Sequence, residues 1–68
     1  MHFRKFSPID RESPIFELVD GVVVLFDVSK NDQGVLEVAF HEGSTGRVLE
    51  FELLQELLAK GRKLAENE

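Results

Sequence analysis

The sequence predicts an α+β protein, an antiparallel three- to four-stranded β-meander followed by one C-terminal amphipathic α-helix packed on one sheet face. Short apolar segments rich in β-branched residues are separated by turn signals at Asp20-Gly21, Asn31-Asp32-Gln33-Gly34 and Gly43-Ser44-Thr45-Gly46. After the last of these, Leu53, Leu54, Leu57, Leu58 and Leu64 recur at helical spacing. The chain is 68 residues long, room for one domain that buries only about 60 % of the surface of its unfolded form.

Residues 1–14 read as an extended N-terminal arm or edge strand, because Pro8 and Pro14 each remove a backbone donor and push the preceding residue toward extended conformations. Phe3 and Phe6 need burial there, on the parent domain or on a second copy. The meander and helix then form a single domain over residues 15–68. Val22 to Val28 is β-branched and too short for a typical helix, so it belongs to the sheet.

The Asn31–Gly34 loop suits a type I turn closed by a left-handed glycine, which sets Asn31 against Val35. Counting outward, Lys30 faces Leu36, Val28 faces Val38 and Phe26 faces Phe40, so Val24, Phe26, Val28, Leu36, Val38 and Phe40 share one face. A hairpin loop over Gly43–Gly46 would set Phe40 against Leu49 and Val38 against Phe51. Both turns then give the same core face, which favours a strand over Arg47–Phe51. A helix there would project Val48 and Leu49 away from the leucine stripe. Glu52, Gln55, Glu56, Lys60 and Lys63 lie opposite that stripe, and Gly61 falls on its apolar side. Glycine there means either a close approach of the helix backbone to the sheet or a frayed last turn, which the acidic tail Ala65–Glu68 would encourage.

One helix covers one sheet face, and the second face is expected to be half apolar. It carries Val23, Leu25, Ala39 and Val48 among Asp27, Glu37, His41 and Glu50, and a type I′ turn at Asp20-Gly21 adds Phe16 and Leu18. Such a face calls for a cover: the Phe3/Phe6 arm, a second subunit or another protein. With no cysteine to staple so small a core, a homodimer is the leading expectation. The expected contact surface comprises Phe3, Phe6, Phe16 and Leu18, together with Val23, Leu25, His41 and Val48.

A net charge of −5 disfavours nucleic acid, which needs a basic surface to release counterions. It suits a basic protein partner, docked against Asp27, Glu37, Glu42 and Glu50. The basic and aromatic tip His2–Phe6 could stack on single-stranded bases, but it is short. No stretch has the length of a membrane span or of a signal peptide, so the expectation is no membrane and a cytoplasmic location.

Chemistry is sparse. His41 with Asp27 and Glu50 on neighbouring strands is the best constellation for a small ligand, a metal or acid–base work. The ordinary reading is a strand histidine in a solvated polar stripe. Ser7, Ser13, Ser29 and Ser44 have no histidine implied beside them, and Gly43–Gly46 lacks the lysine and the context of a phosphate-binding loop. The expected function is therefore a small acidic, non-enzymatic interaction or regulatory module without a cofactor.

Overall fold

The computed structural model describes residues 1–68, in the order β1 (His2–Phe6), β2 (Ile15–Asp20), β3 (Val23–Lys30), β4 (Leu36–Phe40), a 3-10 turn (Glu42–Ser44) and α1 (Phe51–Glu66). The strands form one antiparallel sheet in sequence order, with the leucine face of α1 packed against it. This is the α+β fold expected from the sequence. No helix is long and apolar enough to cross a membrane.

The β3–β4 hairpin has the expected register, with Lys30 opposite Leu36, Val28 opposite Val38 and Phe26 opposite Phe40. Gly34 takes the left-handed conformation at φ +79°. Asn31 closes the loop: its N–H donates to the Val35 carbonyl at 2.9 Å, and its Oδ1 accepts the N–H groups of Gln33 and Val35 at 2.9 and 3.0 Å.

The β2–β3 hairpin corrects the sequence reading. Asp20 pairs with Val23, so the turn residues are Gly21 and Val22. Gly21 alone has positive φ, +65°, which excludes the type I′ turn and suits type II′. That displacement alone slides the register by an even number of residues and leaves the faces unchanged. A β-bulge between Leu18 and Val19 supplies the odd step, since Val19 faces Val24 while Leu18 faces Phe26. The faces flip. Phe16 and Leu18, expected on the outer face, lie opposite Val28 and Phe26 on the core face, and Leu25 joins the same core cluster.

The strand expected over Arg47–Phe51 is absent. Instead of a hairpin loop, the chain makes a tight turn in which both the N–H and the Oγ–H of Ser44 donate to the His41 carbonyl, at 3.0 and 2.7 Å. Gly43 is needed because a Cβ there would overlap the Val23 side chain and lie 2.5 Å from the Val24 carbonyl oxygen. Arg47 then ties the link to the first hairpin, its Nη1 donating to Asp20 Oδ2 at 2.6 Å. Helix α1 starts as soon as the Leu54 N–H reaches the Glu50 carbonyl, with Glu52 in a first turn that favours negative charge.

A cross-strand row, Phe3–Leu18–Phe26–Phe40, spans all four strands on the core face. Above it α1 lies over β2 and β3. Gly61 is the contact point: a Cβ there would come within 2.7 Å of Val28 Cγ2 and 3.1 Å of the Phe3 ring. The close approach, and not fraying, is why glycine occupies this helix.

Candidate functional site

The middle of the outer face is polar and internally satisfied, with Phe6 and Ile15 at one end of it and Val19 and Val24 at the other. Arg4, Glu17, Asp27 and Ala39 form a row across it. Arg4 Nη2 donates to Glu17 Oε1 at 2.7 Å. His41 Nε2 and Asp27 Oδ2 are paired at 2.7 Å. Beside this row, the Arg11 guanidinium reaches Ser29 Oγ at 3.3 Å and the Lys30 carbonyl at 3.0 Å, folding the 7–14 loop onto the sheet. Asp27 and Ser29 are thereby buried with partners, as such groups require.

Two members of the expected His41 constellation are together, and the third is not. Glu50 would have stood beside Ala39 only on a strand over Arg47–Phe51; it stands instead at the N-cap position of α1, its side chain making no capping hydrogen bond. No group of three or more His, Cys, Asp or Glu side chains could hold a metal ion. Ser44, the serine nearest in sequence, spends its hydroxyl on the His41 carbonyl and not on the ring. The expected acidic surface also loses Asp27, which is buried; Glu37, Glu42 and Glu50 remain exposed.

On the core face the uncovered apolar surface lies at the β4 end. Helix α1 does not extend over β4, so Val38 is 39 % exposed and Phe40 69 % exposed, although both point to the core side. The Phe40 ring still meets Phe26 edge-on at 5.9 Å. Between β4, the 45–50 link and the first turn of α1 runs a groove of about 420 Å³, lined by Leu25, Phe26, Phe40, Val48, Leu49 and Leu54 with Ser44 and Arg47 at its rim. Val48 is 93 % exposed beside it.

The backbone of β4 is equally open. Ladder bonds alternate along an antiparallel pair, and the Asn31 N–H to Val35 carbonyl and His41 N–H to Leu25 carbonyl bonds set their phase. Val35, Glu37, Ala39 and His41 turn their peptide groups toward β3. Leu36, Val38 and Phe40 turn theirs toward the free edge.

Of the residues expected to make contacts, Phe16, Leu18 and Leu25 are inside the core, with no surface left for a partner, and Phe3 and Val23 pack against it. His41 is engaged with Asp27. Phe6 and Val48 are exposed. Sequence reading missed Val38 and Phe40 as surface residues because their face was read correctly while the reach of the helix was not. Comparison of the chain with protein-family models, with curated proteins and with solved structures returns no match.

Proposed function

We propose that this chain is a small acidic, non-enzymatic protein-interaction module that works as a homodimer, and that its contact surface is the open β4 end of the core face. The observation that carries this reading is Phe40, a core-face phenylalanine 69 % exposed at the mouth of an apolar groove. Contiguous apolar surface of this kind marks interaction sites. The small core supports the same reading. Only ten of 68 residues are buried, and association is one of the means by which domains of this size without disulfides gain stability.

Light scattering over a dilution series tests the proposal. The expected result is twice the 7.7 kDa chain mass, with Phe40→Ser giving a monomer of unchanged circular dichroism, because a mostly exposed ring contributes little to the fold. A wild-type protein that remains monomeric at its solubility limit would sink the reading.

A further inference from the structure

Resting on the reading of a homodimer, we infer that the second copy docks by strand addition: β4 pairs antiparallel with the partner's β4 about a two-fold axis at Val38, joining two sheets into one. The occupant follows from the chemistry of the edge. In this register Val38 lies opposite the partner's Val38 and Leu36 opposite the partner's Phe40. The outward N–H and C=O groups of Leu36, Val38 and Phe40 therefore all find partners of the same kind, as an isologous interface requires.

Both faces match in this register. On the core side Val38 meets its own copy, Leu36 and Phe40 meet each other across the axis, and the apolar row extends past the reach of α1. On the outer side Glu37, exposed and free of any ion pair in the single chain, stands opposite the partner's Ala39. Other registers are worse. A slip of one residue sets core side against outer side. A slip of two residues one way confronts Glu37 with the partner's Glu37, a like-charge pair; the other way carries Leu36 beyond the end of the partner's strand. No proline, lysine or bulge on β4 blocks such pairing, the usual means by which an edge strand is kept single.

Hydrogen exchange by NMR at high and low protein concentration tests the inference on the intact chain. The amides of Leu36, Val38 and Phe40 should be protected at high concentration and lose that protection on dilution. Those of Glu37 and Ala39, bonded to β3, should stay protected throughout. Ala39→Lys, at an exposed position, should tighten the dimer about two- to thirty-fold by placing an opposite charge against the partner's Glu37 twice, and Glu37→Gln should cancel that gain. A dimer whose Leu36, Val38 and Phe40 amides exchange freely overturns strand addition and leaves the interaction reading standing. A monomer at all concentrations overturns both.

Discussion

Phe3 and Phe40 occupy the two ends of one cross-strand row and have different fates. Each meets Phe26 edge-on, at 6.3 and 5.9 Å. Phe3, on β1, is half-buried because Gly61 brings α1 down onto its ring. Phe40, on β4, is left in water because α1 lies over β2 and β3. The edges around them differ in the same sense. β1 carries Arg4 and Lys5, tied to Glu17 and Glu68, and is followed by Pro8, whereas β4 has Glu37 as its one charge. Register decides which face a side chain takes; the placement of the helix decides whether that face is dry. One edge is closed against further pairing and the other is left available.

The largest expected contrast comes from truncating these two rings. Phe3→Ala should cost about 2–4 kcal/mol of folding stability, somewhat below the range for fully buried phenylalanine. Phe40→Ala should cost the monomer less than about 1 kcal/mol, since most of its surface is already solvated. Urea unfolding at a concentration low enough to dissociate any dimer measures both. Equal losses would mean that α1 covers both edges alike in solution.

Gly61 sets how closely α1 approaches Phe3. Alanine in the middle of a helix ordinarily gains about 1 kcal/mol over glycine. Here the added methyl would press on Val28 and Phe3, and overpacking of this kind costs about 1–3 kcal/mol. Gly61→Ala should therefore destabilise, and part of the loss should vanish in the Phe3→Ala background because one of the two obstructing groups is gone. A stabilised Gly61→Ala protein would show that the helix stands further from β1.

Much of this architecture was legible in the sequence, and the places where it was not have physical causes. The Asn31–Gly34 loop fixes its own register through one side chain, Asn31, and one left-handed glycine, so counting outward from it gave every β3–β4 pair. The first hairpin failed because a β-bulge leaves no mark in an unbroken apolar run: any residue of Val22–Phe26 could have been the extra one. Gly43–Gly46 misled because glycine serves two purposes. Gly46 has the positive φ of a turn, at +74°, while Gly43 is needed only for its missing Cβ against β3. The exposed end of the core face depends on where one helix rests across four strands, a tertiary quantity that periodicity does not encode.

On the outer face, His41→Ala should cost about 1–2 kcal/mol, because it leaves the buried Asp27 carboxylate without its partner. Asp27→Ala in the same background should restore part of that loss by removing the unsatisfied group. Thermal unfolding of the single and double variants checks this. A neutral His41→Ala would mean that water replaces the imidazole, and that the outer side of β4 is as loosely held as its apolar side.

The smallest effect belongs to the guarded edge. The Arg4–Glu17 pair joins β1 to β2 at 2.7 Å, but the arginine side chain is more than half exposed. Exposed pairs of this kind contribute about 0.2–1 kcal/mol. A double-mutant cycle with Arg4→Ala and Glu17→Ala should return a coupling in that range that shrinks as salt is raised. If the coupling is this small, Arg4 and Lys5 act on the β1 edge chiefly by charge, making it a poor template for another strand, while β1 itself is held by Phe3 beneath Gly61. A coupling well above 1 kcal/mol would instead make the ion pair the fastening of β1, and the contrast with β4 would then lie in electrostatics and not in the reach of the helix.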